Sequence, residues 1–66
     1  MKLFDQLAEQ YGAVIDCHAA HWTIGDTDFV HTGERIYTEV DCKLAGPGKK
    51  SKSLRSVEKF IAEVGV

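Results

Sequence analysis

The chain has 66 residues, a formal net charge of −2 and a hydrophobic content of 44%. This length predicts one small domain over residues 1–66, whose marginal core leaves little room for a catalytic cleft. One tryptophan, two tyrosines and three phenylalanines exclude the composition of a disordered chain. Because no apolar run approaches the roughly 18 residues that a membrane span needs, and the first residues soon turn polar, we expect a soluble, cytoplasmic protein.

The first predicted element is a helix over residues 2–10. Apolar residues recur there at spacings of three and four, which is typical of one buried helical stripe. They are Leu3, Phe4, Leu7, Ala8 and Tyr11. Gly12 follows at a position where helices often end in left-handed backbone.

The sequence next predicts three strands. The first covers residues 13–24, with a bulge at Ala19 and Ala20 that returns Trp22 and Ile24 to the buried face. A short strand over residues 29–31 lies between predicted turns at 25–28 and 32–34. The third strand covers residues 35–44, where apolar and polar residues alternate. Its predicted buried set is Ile36, Thr38, Val40, Cys42 and Leu44.

A breaker-rich loop over residues 45–50 leads to a second helix over residues 54–64. Ser51 or Ser53 can cap its N-terminus. The apolar stripe of this helix is Leu54, Val57, Phe60, Ile61 and Val64. The order predicts an α+β fold in which a three-stranded antiparallel β-meander carries both helices on one face.

The cysteines and histidines give no strong signal of chemistry. Cys17 and Cys42 have the parity of core positions, which favours buried free thiols over a disulfide. With His18, His21 and His31 they invite a zinc site, but there is no Cys-x-x-Cys pair, and the opposite parity of the first two histidines separates them. We therefore predict core thiols and surface histidines, with no metal, cofactor or enzymatic activity.

The charge is divided along the chain. Residues 1–42 carry eight acidic residues against Lys2 and Arg35, whereas residues 43–66 carry six basic residues against two acidic ones. An acidic face attracts basic surfaces, including those that hold nucleic acid; solubility and edge protection are the alternative roles. The predicted partner-binding set, with a tyrosine as an exposed anchor, is Asp16, Asp26, Asp28, Glu34, Tyr37, Glu39 and Asp41.

The basic segment offers a second possible function. Its residues are Lys49, Lys50, Lys52 and Arg55; a basic loop before a helix suits phosphate, and solubility is again the alternative. The element order and the run Gly-Pro-Gly-Lys-Lys-Ser-Lys over residues 46–52 resemble the double-stranded RNA-binding domain. The resemblance implies that the three lysines grip phosphates and that Gln6 contacts a minor groove. The Pro-x-His turn of that family is absent from this sequence.

In its size, acidity and α+β pattern the chain also resembles the small inhibitors that phages make against host defences, anti-CRISPR proteins above all. That resemblance implies a monomer in the host cytoplasm. It also implies that the acidic face binds a subunit of a nucleic-acid-guided complex and blocks access to DNA. We rank this function first, nucleic-acid binding through the basic segment second, and a toxin–antitoxin or other small regulatory partner third.

Overall fold

A computed structural model describes residues 2–65. The two helices are α1 (Leu3–Tyr11) and α2 (Leu54–Val64). The strands are β1 (Val14–Asp16), β2 (Ala19–Ile24), β3 (Thr27–His31), β4 (Arg35–Val40), β5 (Lys43–Leu44) and β6 (Lys49–Lys50). They form an antiparallel sheet in the order β1-β2-β3-β4-β5, and β6 pairs with β4. The predicted α+β class is confirmed, but the predicted three strands are six in the structure.

The predicted single strand over residues 13–24 is wrong, because the chain reverses within it. β1 and β2 are antiparallel, with Asp16 opposite Ala19. The two residues between them, Cys17 and His18, have φ angles of 48° and 67°. Two successive left-handed residues form the kind of two-residue turn whose twist suits a hairpin. This turn, and no bulge, places Trp22 on the buried face.

A second two-residue turn divides the predicted strand over residues 35–44 into β4 and β5. Asp41 and Cys42 have φ angles of 53° and 63°. After the reversal, Leu44 lies opposite Glu39, so the prediction that Leu44 belongs to the buried set is wrong. Leu44 is 45% exposed.

The same two turns overturn the prediction of core thiols. Cys17 and Cys42 are both free and exposed. Each lies in a turn that joins two strands, beyond the paired residues of the sheet. Sequence parity failed here because it assumed an unbroken strand.

Four aromatic rings join both helices to one side of the sheet, which we call the inner face. The ring of Tyr11 stacks on Trp22 with centroids 5.6 Å apart, and Trp22 stacks on Phe29 at 5.7 Å. Phe60 of α2 meets Phe29 edge-on at 6.2 Å. The buried core includes two of these rings and consists of Leu7, Ala13, Ala20, Trp22, Phe29, Ile36 and Val57. Both helices therefore pack against the inner face, and the opposite side, the outer face, carries neither.

The ends of the helices follow their sequence signals. Gly12 has a φ of 68° after α1, and the N–H of Ala13 donates to the carbonyl of Leu7. Before α2, the Ser53 hydroxyl accepts from the Ser56 N–H, and the Ser56 hydroxyl accepts from the Ser53 N–H. This reciprocal capping box satisfies two backbone donors and selects Ser53 from the two predicted caps.

The segment between β5 and β6 is folded back onto β4. The guanidinium of Arg35 donates to the carbonyl oxygens of Pro47, at 2.9 Å, and Gly48, at 3.2 Å. β6 then pairs with β4, with Lys50 opposite Arg35. The predicted loop over residues 45–50 therefore ends in a strand. None of the helices in residues 2–65 has the length and apolar character needed to cross a membrane.

Close packing of Gly48 generates a stability prediction. A Cβ atom added at Gly48 would lie 2.6 Å from the Ile36 carbonyl oxygen and 2.6 Å from ring atoms of Tyr37. Gly48→Ala should lower the unfolding free energy by about 2–4 kcal/mol, from left-handed strain plus overpacking. Gly46→Ala is the matched control, since its φ of 65° is similar but nothing lies within 4 Å; it should cost about 1 kcal/mol. Equal losses in urea unfolding would contradict this packing.

His31 is buried, contrary to the prediction of a surface histidine. Its Nε2 lies 2.7 Å from the Ser51 carbonyl oxygen, and the N–H of Gly33 donates to its Nδ1 at 3.0 Å. A neutral ring with its proton on Nε2 satisfies both contacts. The ring therefore joins β3 to the segment before α2. The edge-on ring of Phe4, 6.0 Å away, completes its surroundings.

This contact predicts a pH dependence of stability. Burial lowers the pKa of His31 below its ordinary value of 6.5, and the hydrogen bond to Ser51 only partly opposes the effect. Just below pH 6.5 the unfolded chain therefore binds more protons than the folded one. The unfolding free energy should fall as pH drops through the folded pKa. Thermal unfolding should show this fall in the wild type and in His21→Gln, but a weaker one in His31→Gln; an unchanged slope in His31→Gln would contradict the assignment.

Candidate functional site

Two rows of side chains cross the outer face of the sheet. Residues opposed across antiparallel strands project to the same side, so the strand register defines each row. One row runs from β1 to β4 and contains Val14, His21, Val30 and Tyr37. The other runs from β2 to β5 and contains Thr23, Asp28, Glu39 and Leu44.

Between these rows the outer face is concave. The depression has a volume of about 320 Å³. Its principal side chains are Val14, His21, Thr23, Asp28, Val30 and Glu39. Val30 is only 4% exposed although no helix covers it, so it forms an apolar floor below a polar and acidic rim. An apolar floor with a few polar groups around it is the usual composition of a binding surface.

The rim contains two carboxylates in an unfavourable arrangement. Asp28 and Glu39 are direct cross-strand partners, and like charges in such positions destabilise a sheet. Thr23 donates a 2.6 Å hydrogen bond to Asp28, but the only ion pair in residues 2–65 joins Lys49 to Glu63. The Asp28–Glu39 pair therefore has no cation partner in the part of the chain that the structure describes.

The strand order divides the predicted acidic set between two ends of the sheet. Successive hairpin turns lie at alternate ends of a meander. Asp26, in the β2–β3 turn, and Asp41, in the β4–β5 turn, thus share an end with Asp28 and Glu39. We call these four residues the acidic end. The other two predicted acids, Asp16 and Glu34, lie at or near the turns of the opposite end.

Tyr37 differs from its prediction as an exposed anchor. It lies on the outer face, as its parity indicated, but it is half-buried. Its ring packs against Gly48 of the folded-back segment. Tyr37 therefore lies on the outer face near Glu39 as a half-buried side chain.

Sequence reasoning missed the part of the site that β2 supplies. His21 and Thr23 lie on the outer face, between the buried residues Ala20 and Trp22 and the half-buried Ile24. The alternation from residue 20 to residue 24 was a sufficient signal, and the predicted bulge already turned both side chains away from the core. They were missed because the predicted binding set was chosen for acidic charge.

The predicted basic set is partly engaged within the domain. The ammonium of Lys49 lies 2.7 Å from a Glu63 carboxylate oxygen, and this hydrogen bond lowers the pKa of Glu63. Lys50 lies opposite Arg35, while Lys52 and Arg55 are exposed. The capping box of α2 already uses backbone N–H groups at the helix start, which leaves fewer donors for a phosphate. Gln6, predicted to contact a minor groove, lines a depression between the helices beside Glu9.

The histidines and cysteines are not gathered into a metal site. Among residues 2–65, no group of three or more His, Cys, Asp or Glu side chains is placed to hold an ion. His18 lies in the β1–β2 turn, His21 on the outer face and His31 in the core.

Comparison with known proteins returns no matching family model, no matching curated protein and no matching solved structure. The function is therefore argued from the outer face itself.

The repulsion between Asp28 and Glu39 predicts a stabilising charge reversal. Glu39→Lys replaces a like-charge pair by an opposite-charge pair, and should raise the unfolding free energy by about 0.2–1 kcal/mol in low salt. Glu34→Lys, in an exposed turn without an opposed carboxylate, is the control and should change it little. A loss of stability in Glu39→Lys, measured by urea unfolding, would show that Glu39 has a structural role.

Proposed function

We propose that this protein is a non-enzymatic inhibitor of the anti-CRISPR type. In this proposal the acidic end docks onto a basic protein surface that otherwise holds nucleic acid, in a host complex located in the cytoplasm. The observation that carries the proposal is the pair Asp28 and Glu39, opposed on an exposed face without a cation partner among the described residues. A basic partner would supply the missing charge, so an arrangement that costs stability in the free domain becomes favourable in the complex.

The surroundings of this pair support the proposal. Asp26 and Asp41 add two exposed carboxylates in turns at the same end of the sheet. Val30 lies two residues from Asp28 on the same strand and supplies an apolar floor. Charged groups steer and orient a partner, whereas buried apolar area supplies much of the binding free energy. The outer face combines both features, and its lack of a covering helix leaves it accessible.

The basic charges opposed between β4 and β6 support a second candidate function. Lys50 and Arg35 are also like charges in direct opposition, which suits an anionic ligand. However, Lys49 is paired with Glu63 and the N-terminal backbone donors of α2 are capped. Nucleic-acid binding through Lys50, Lys52 and Arg55 is therefore the second candidate function.

The test is inhibition of purified CRISPR effector complexes of the main types, each loaded with guide RNA. Binding of labelled target DNA should fall as the protein is added to a complex that it recognises. The double reversal Asp28→Lys with Glu39→Lys should abolish this effect, because it replaces both unpaired carboxylates with positive charges. Glu9→Lys with Glu58→Lys changes the net charge equally at exposed positions on the two helices and should leave most of the inhibition.

Three outcomes decide between the candidates. Loss of inhibition in the first double variant, with its urea unfolding close to that of the wild type, supports the acidic end as the docking surface. Equal losses of inhibition in both double variants would show that inhibition depends on net charge alone, and would contradict the assignment of the acidic end as the docking surface. Inhibition of no complex, together with salt-dependent binding of the free protein to labelled RNA or DNA that Lys52→Ala weakens, would favour the second candidate.

A further inference from the structure

The two edges of the sheet are protected very differently. Natural sheets guard an edge with lysines, prolines or bulges that prevent another strand from pairing there. The edge formed by β5 and β6 has two of these: Lys43, Lys49 and Lys50 lie on the strands, and Pro47 lies in the segment between them. The opposite edge is β1, a three-residue strand, Val-Ile-Asp, that has no lysine or proline and whose charge is acidic.

β1 also exposes apolar side chains on both faces. Val14 lies on the outer face and is 66% exposed, and Ile15 lies on the inner side and is 44% exposed. Because a two-residue hairpin closes on a hydrogen-bonded pair, here Asp16 and Ala19, the next pair along is not hydrogen-bonded. The N–H and C=O of Ile15 therefore point away from β2, toward a strand that could be added.

The charges near this edge indicate what kind of strand would fit. The charged residue of β1 is Asp16, which is exposed, and residues 3–34 contain no lysine or arginine. The outer-face concavity, whose rim carries Asp28 and Glu39, begins at Gly12 and Val14 beside this edge. A second copy of β1 would bring another acidic residue and no cation to this edge, whereas a basic segment would complement Asp16.

We propose that β1 is a strand-addition site that accepts an extended basic segment of the partner protein. The backbone of that segment pairs with the N–H and C=O of Ile15 and extends the sheet by one strand. Its side chains alternate, so lysine or arginine residues lie beside Asp16 on the outer face while apolar residues cover Ile15 on the inner side. This inference rests on the proposed function, since it assigns the basic segment to the same partner that the acidic end binds.

The probe for this site is a fluorescein-labelled octapeptide that alternates lysine with valine. Its fluorescence anisotropy is titrated with the whole chain as wild type, Ile15→Pro and Ile15→Val. Proline removes the outward N–H without removing a hydrogen bond to β2, and should weaken binding about tenfold or more. Valine keeps the N–H and the apolar side chain and favours a strand, so Ile15→Val should bind within about twofold of the wild type.

Further measurements keep each outcome decisive. Far-UV circular dichroism checks that Ile15→Pro is folded. If the variant is unfolded, hydrogen exchange of the wild-type protein is the test instead, and the Ile15 amide should exchange more slowly when the peptide is added. An octapeptide alternating glutamate with valine should not bind. Equal binding of that peptide, equal binding by Ile15→Pro, no exchange protection at Ile15, or a wild-type dimer that Ile15→Pro dissociates would each overturn the proposal.

The two proposals fail separately. Suppose that Asp28→Lys with Glu39→Lys abolishes inhibition of an effector complex while Ile15→Pro leaves peptide binding and inhibition intact. The acidic end is then supported as the docking surface, and strand addition at β1 is contradicted. If the peptide binds through Ile15 but no effector complex is inhibited, the edge is a basic-strand site and the anti-CRISPR assignment falls.

Discussion

The stacked rings of Tyr11, Trp22 and Phe29 are the contact on which the rest of the fold depends. With Phe60 they join α1, two central strands and α2 into one core. A chain of 66 residues has few large side chains, and a small domain is marginal unless it buries them together. Because Tyr11 and Phe60 belong to the helices, packing these rings on the inner face places both helices on that side. The outer face is left uncovered as a direct consequence.

The uncovered face is where the sequence departs from what stability alone would favour. A solvated sheet face commonly alternates opposite charges across strands, since such pairs stabilise it. This one instead opposes Asp28 to Glu39, next to a buried Val30. A region in which a local rule of stability is broken is a reasonable place to look for function. The edge strand β1, which has no lysine or proline and exposes Val14 and Ile15, is a second departure.

Some elements could be predicted from the sequence because their signals are local. The α2 helix has both a capping serine and an apolar stripe, and its predicted span agrees with Leu54–Val64. The hairpin turns at residues 17–18 and 41–42 were missed because left-handed turns usually contain glycine or asparagine. Here cysteine, histidine and aspartate adopt the positive φ angles. The chain tolerates this conformation at two successive residues in each turn because the paired strands on either side hold it.

The acidic residues of the site could be predicted from the sequence, but their grouping in space could not. Charge counting identified the acidic residues, since parity and turn signals placed them away from the core. The grouping of Asp26, Asp28, Glu39 and Asp41 depends on how many times the chain reverses, and an error of two hairpins changes which turns share an end. Burial of Tyr37 depends on the folded-back segment at Gly48, a contact that no local pattern encodes.

The central claim is that the acidic end, and not the basic segment, is the working surface. The most direct measurement is a ¹H–¹⁵N NMR titration of the whole chain, first with a short polylysine peptide and then with duplex DNA. The account predicts that polylysine shifts the amides of Thr23, Asp28 and Glu39, and that DNA shifts none of the assigned amides. Shifts of Lys50, Lys52 and Arg55 on addition of DNA, with the outer face unaffected by polylysine, would contradict it.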